Sequence, residues 1–154
     1  MADLMETVEV EKKQYIVVHI GEEQYGIDIG YVDNIVRMQP ITRVPKAQHY
    51  FKGIINLRGE IVPVMSIRTK MGLENDVETN LSRIIILKAE EAAKLGIVVD
   101  EVKEVVMLGD DEIDRNVDTK KDQKSNFING IGKNGNQLIS LFDINKIIEE
   151  NEAV

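Results

Sequence analysis

The sequence predicts an all-β fold of two small five-stranded antiparallel barrels, followed by a short C-terminal helix. Three observations predict it. The chain carries an internal duplication. Each copy is built from short runs rich in Val, Ile and Tyr, bounded by Gly, Asn and Pro, which is the signature of strands. Only one stretch, close to the C-terminus, has a clear helical spacing of apolar residues.

The duplication appears when the chain is laid over itself. Tyr25-Gly26-Ile27-Asp28-Ile29 overlays Leu95-Gly96-Ile97-Val98-Val99 at a spacing of 70, and Val32/Val102, Ile35/Val105 and Val36/Val106 keep that spacing. Upstream, Tyr15–Ile20 resembles Arg83–Lys88 with a small offset. A second block repeats: Phe51-Lys52-Gly53-Ile54 resembles Phe127-Ile128-Asn129-Gly130-Ile131, with Gly53 77 positions before Gly130, and Val62–Ile67 matches Ile139–Ile144 at the same 77. The change from 70 to 77 places extra residues in the polar stretch Gly109–Ser125.

Taken in order, the first copy is expected to form strands over Gln14–Ile20, Gln24–Ile29, Ile35–Met38, Gly53–Leu57 and Glu60–Met65. The second is expected over Arg83–Lys88, Leu95–Val99, Val105–Leu108, Phe127–Gly132 and Gln137–Leu141. Hairpin turns fall at Gly21-Glu22-Glu23, Asn56-Leu57-Arg58-Gly59 and Lys133-Asn134-Gly135-Asn136, where Gly and Asn adopt positive φ cheaply. Gly30–Asp33 and Ser66–Met71 read as single helical turns. Asp143–Glu150 is the helix, with Ile144, Ile147 and Ile148 on one face and Asp143 as its N-cap. Closure of each sheet would remove its exposed edges. Units of about seventy residues bury little core alone, so the barrels should pack together. The domain reading is a flexible N-terminus over 1–13 and one domain over 14–150. Within that domain, barrels of about 14–80 and 81–142 share or swap edges, ahead of helix 143–150.

Composition narrows the function. Nineteen Lys and Arg against 27 Asp and Glu give a net charge of −8, and aromatics make up only 5% with no Trp. Nucleic-acid binding draws on cations and stacking platforms, so the totals argue against it. The same acidity argues against an anionic membrane surface, and no apolar run approaches the length of a bilayer span. The start of the chain lacks the basic flank and apolar core of a secretory signal. With no cysteine, disulfides and thiolate chemistry are excluded, and a cytoplasmic location is expected. The four serines sit in no nucleophile elbow, there is no phosphate-binding glycine loop, and no cofactor is expected. A binding module, not an enzyme, is the expected class.

Three features merit a functional reading. Arg58 stands in a turn whose counterpart, read as Asn134-Gly135, has no arginine; a guanidinium held there offers a rigid fork to a partner carboxylate, against the plainer reading of a solvated surface charge. Ile29, Val32, Ile35 and Val36 form a dense apolar stretch, read as core in part and as a protein-binding groove where exposed. Asp110, Asp111, Glu112 and Asp114 lack the glycine and terminal glutamate of a calcium loop and read as a solvated linker, while His19 and His49 read as surface or core-edge residues.

Taken together, Glu23–Ile29, Val32, Gly53–Val64 (including Asn56-Leu57-Arg58-Gly59) and Gly96–Val102 resemble the family of chemotaxis coupling proteins, CheW, over about Gln14–Ile148. The resemblance implies two intertwined SH3-like barrels. It also implies a scaffold that joins the cytoplasmic tips of methyl-accepting chemoreceptors to the histidine kinase CheA through the kinase's related regulatory domain. Such an adaptor would be recruited to membrane receptor clusters without inserting in the membrane. By position, the resemblance carries Arg58 and its neighbour Asn56 over as signalling contacts, and Ile16, Ile29 and Val32 as an apolar receptor-binding surface between the barrels. Asn34 stands where some relatives have an acidic residue, so no salt bridge is expected there. The competing readings are a small-barrel nucleic-acid-binding module and an excised regulatory domain of the kinase.

Overall fold

The computed structural model describes residues 11–88, 93–116 and 125–152. The first copy forms β1 (Lys12–Ile20), β2 (Glu23–Asp28), β3 (Val32–Arg37), β4 (Phe51–Leu57), β5 (Glu60–Met65) and the short helix α1 (Ile67–Lys70). The second forms β6 (Arg83–Lys88), β7 (Lys94–Val99), β8 (Glu101–Gly109), β9 (Ile113–Asp114), β10 (Ile128–Asn134), β11 (Gln137–Phe142) and α2 (Ile144–Glu152). Every expected strand is present.

The differences lie where polar residues interrupt an apolar run. β3 and β8 begin three or four residues earlier than expected, at Val32 and Glu101. Asp33 and Lys103 are exposed residues bulged out of the ladders, and pairing with β6 and β1 resumes on their far side at Val32 and Val102. The early helical turn falls at Ile29–Tyr31, where Asp28 Oδ1 accepts from the Gly30 N–H at 2.9 Å. β9 arises inside the stretch read as a linker. Residues 1–10 lie outside the described residues, whereas Lys12 and Lys13, expected to be flexible, already pair with Gly109 and Leu108. Both caps are formed: Ser66 Oγ accepts from the Thr69 N–H and Asp143 Oδ1 from the Lys146 N–H, each at 3.1 Å.

The two sheets do not follow the two halves of the chain. One runs β8-β1-β2-β11-β10-β9 and the other β3-β6-β7-β5-β4. With β1/β6, β2/β7, β3/β8, β4/β10 and β5/β11 as equivalents, both have the same order: third, first, second, fifth, fourth. In each, the leading hairpin comes from one copy and the third, fourth and fifth strands from the other, with β9 added at the edge of the first sheet. The swap is sealed by parallel pairs, Gly26 beside Leu141 and Gly96 beside Val64. A Cβ on Gly26 would stand 2.7 Å from Leu141 Cδ2, and one on Gly96 3.2 Å from Val64 Cγ2. The repeated glycines are the places where the exchanged strands touch.

Neither sheet's pairing closes into a ring; β8 and β9 edge one, β3 and β4 the other. Edge protection comes from short segments instead. Thr42 bridges Ile54 on the outer side of β4 (2.8 and 2.9 Å), and β9 does the same for β10.

The exchange also explains why the apolar runs do not alternate. Tyr15 and Val17 of β1 enter one barrel interior, while Ile16, Val18 and Ile20 enter a central cluster. In β6, Ile84 and Ile86 enter the other interior, and Ile85 and Leu87 the central cluster. Strands covered on both faces lose the polar half of their pattern. The central cluster holds 20 buried residues against six in each interior, so the main core lies between the barrels. It includes Tyr25 stacked on Phe142 at 4.8 Å and the apolar face of α2.

Polar ties reinforce it. Asp100, after β7, accepts from the Gly21 N–H at 2.8 Å and from Arg68 of α1, whose Nε lies 3.3 Å away. The Asp100 bond holds the Arg68 pKa above its ordinary value, although burial opposes it. At the equivalent place in the other barrel the tie is neutral: Asn145 Nδ2 donates to the Tyr31 hydroxyl at 3.1 Å.

Candidate interaction surface

Arg58 lies at the tip of the β4–β5 hairpin. Leu57 pairs with Glu60, which leaves Arg58 and Gly59 as the two turn residues, with φ of +56° and +85°. Two positive φ values are the type I′ geometry that matches strand twist. In the second hairpin Asn134 pairs with Gln137, so the true counterpart of Arg58 is Gly135, φ +64°, and not Asn134. An L-residue in the left-handed region costs about 1–2 kcal/mol, and glycine avoids it. The fold thus accommodates glycine at this position in one copy and holds a strained arginine in the other. Asn56 supports the turn by accepting from the Gly59 N–H at 2.9 Å through Oδ1. The Arg58 side chain is exposed and makes no ion pair with a described residue.

The apolar stretch is laid along the flank of the central cluster. Ile29 is 39% exposed and Ile35 37% exposed; Val32 is half-buried and packs on the cluster. Val36 packs against a barrel interior. Two of the four therefore pack on the core and two face outward, Ile35 being on the exposed side where core was expected. Ile16, expected on this surface, is 4% exposed and sits inside the central cluster. Its place in the middle of β1, covered on both faces, makes it a support beneath the surface.

Asn34 makes no ion pair among the described residues; its Oδ1 accepts from the adjacent Ile35 N–H at 2.9 Å. The charge pair that joins this region uses residues the sequence reading passed over. Lys94 Nζ lies 3.4 Å from Asp33 Oδ2 and 2.9 Å from Glu60 Oε1. One ammonium therefore ties β3 to the hairpin carrying Arg58, bringing both to the same end of the sheet. The Glu60 hydrogen bond holds the Lys94 pKa above its ordinary value, and Asp33 adds to this. No sequence signal marks three ordinary charged residues on three separate strands.

The acidic stretch has a structural use. Glu112 Oε1 accepts from the Gly109 N–H at 2.9 Å and lies 3.5 Å from Lys12, which together hold its pKa below the ordinary value. Among the described residues there is no group of three possible metal ligands, and no helix is long and apolar enough to cross a membrane. His49 is exposed, with its ring edge-on to Tyr50, and the half-buried His19 lends its backbone carbonyl to the Asp100 N–H.

Comparison with known proteins agrees with this architecture. The CheW-like domain profile matches residues 14–152. The chain is 33% identical to chemotaxis protein CheW of Thermotoga maritima over 149 residues, covering 95% of each. It is 31% identical to that of Treponema pallidum over 146 residues, covering 92% of this chain and 85% of the relative. Among solved structures, the scaffolding protein TtCheW from Thermoanaerobacter tengcongensis superposes with a TM-score of 0.79 at 32% identity, covering 86% of this chain and 90% of that one. With the profile matched over residues 14–152 and relatives above 30% identical along nearly the whole chain, the chain belongs to the CheW-like domain family.

Proposed function

We propose that this protein is a chemotaxis adaptor that couples the cytoplasmic tips of chemoreceptors to the histidine kinase CheA, and so lets receptors control kinase autophosphorylation. Membership of the family over residues 14–152 is the observation that carries the reading. The adaptor works in the cytoplasm, at receptor clusters, and performs no chemistry of its own. Coupling is a free energy shared between two binding sites, which a scaffold with a large central core transmits as a rigid body.

In this reading the flank formed by Ile29, Val32 and Ile35 receives an apolar face of the receptor tip, with Asn34 at its margin. Arg58 presents its guanidinium beside that flank, with Asn56 and the Lys94 pairs fixing the hairpin. The strain held at Arg58 supports a role outside folding.

The test is reconstitution of the cognate kinase and receptor fragment with this protein. Receptor-dependent phosphorylation should require the protein and be lost by at least about tenfold with Arg58→Glu, while the thermal midpoint stays unchanged. Retention of neither kinase nor receptor by the natively folded protein would sink the proposal.

A further inference from the structure

Charge is unevenly distributed along this chain. Residues 34–59 hold five cations, Arg37, Arg43, Lys46, Lys52 and Arg58, while all 27 acidic residues lie outside this stretch. Elsewhere, Lys88, Lys103, Lys133 and Lys146 stand apart from one another without an ion pair to a described residue, while Lys12, Lys13, Arg68, Lys94 and Arg115 each find a carboxylate. Within the stretch only Lys52 does, 3.6 Å from Asp76; Arg37, Arg43, Lys46 and Arg58 are exposed and make no ion pair with a described residue.

Three of these cations converge on a concavity. The loop between β3 and β4 lines two adjoining open cavities of about 390 and 380 Å³ that share Arg43, His49, Phe51 and Lys52 as walls. Lys46 lines the second, with its backbone at φ +63°. Lys46 and Arg58 are the two non-glycine residues with positive φ among those described, and both are unpaired cations of this stretch. Asp76 lines the first cavity, with its charge offset by Lys52 and by Arg68 at 4.0 Å, so the trough remains positive.

The second copy provides an internal control. The bridge to the fourth strand is made by Thr42 in one copy and by Asp114 in the other, so Arg43 corresponds to Arg115, which is paired with Asp110 at 3.5 Å. Lys52 and His49 correspond, at the spacing of 77, to Asn129 and Asn126. The second copy thus keeps an arginine at the place of Arg43 but ties it to a carboxylate, and it does without a cation at the place of Lys52.

We propose that this trough is a docking site for an acidic peptide segment of a partner protein, with Arg43 and Lys46 receiving its carboxylates and Phe51 the intervening stems. The size of two joined cavities suits an extended segment of several residues rather than one small anion. A chain of net charge −8 repels a polyanion overall, so attachment must be local. The proposal adds a surface to the coupling role and does not rest on it.

The test uses the full chain and a labelled oligoglutamate peptide, followed by fluorescence anisotropy, with oligoglutamine as the neutral control. Binding is expected for oligoglutamate alone, weakening between about 50 mM and about 300 mM salt as screening grows. Arg43→Glu with Lys46→Glu should lower affinity at least about fivefold, as loss and reversal of two exposed pairs implies. Lys133→Glu, an exposed cation of the second copy, should change it less than about twofold. Should the double reversal lower the thermal midpoint, Arg43→Gln with Lys46→Gln carries the test. Absence of peptide binding at low salt, or an equal loss with Lys133→Glu, would overturn the proposal. Free glutamate or inorganic phosphate competing at the peptide's own concentration would also overturn it, because the site would then be a small-anion pocket.

Discussion

At the residue scale, Arg58 is where local energetics and the fold disagree. Its equivalent, Gly135, takes the left-handed conformation without cost, whereas Arg58 takes it at φ +56°. Replacing Arg58 with glycine should therefore leave stability unchanged or raise it by up to about 1 kcal/mol, the relieved strain being partly offset by glycine's greater freedom in the unfolded chain. Urea denaturation checks this. A loss above about 1 kcal/mol would make the arginine structural. The sequence marked Arg58 by its setting but aligned it with Asn134, one residue early. Letters alone do not fix a hairpin register; the pairing of Leu57 with Glu60 and Asn134 with Gln137 does. Ile16 was misplaced for a related reason. A strand's apolar residues do not announce which of two faces is covered.

At the element scale, the fourth strands of both copies carry a bulge, with register shifts between Phe51 and Gly53 and between Ile128 and Gly130. Gly53 has φ +142°, and a Cβ there would stand 2.1 Å from the Thr42 carbonyl oxygen, inside the bridge that covers the β4 edge. Gly53→Ala should cost about 2–4 kcal/mol, since backbone must move and the bridge must open. Thermal or urea unfolding measures the loss, and hydrogen exchange at Ile54, whose N–H donates to Thr42 at 2.8 Å, should rise with it. A neutral substitution would show that the loop carrying the basic trough yields freely. Both glycines were visible in the sequence as a repeated letter. The bulge, and the reason for it, needed the partner strand.

At the scale of the whole molecule, the exchange of hairpins makes the two sequence repeats inseparable. A fragment of residues 14–80 lacks the strands that flank its own β1–β2 hairpin, and one of 81–152 lacks those that flank β6–β7. The 20-residue central cluster is divided by that cut. The intact chain should unfold in one cooperative transition, while each half alone should give no dispersed amide spectrum as a monomer and recover one when the halves are mixed. An independently folded monomeric half would contradict the reading of one shared core. Two transitions in the intact chain would do the same.

The sequence by itself determined the strand content, the duplication, the hairpin turns, the capped terminal helix and the family, because these rest on local pattern and on spacing between repeats. Tertiary structure alone decided which copy supplies which strand to each sheet, since both copies satisfy the same apolar pattern and pairing chooses between them. It also decided that Ile16 is covered while Ile29 and Ile35 are not, and that Lys94 gathers Asp33 and Glu60. It brought Arg43, Lys46 and Lys52 around one trough. Exposure and charge convergence are properties of distances across the fold; Asp33, Glu60 and Lys94, 27 to 61 positions apart, meet only when the strands are packed.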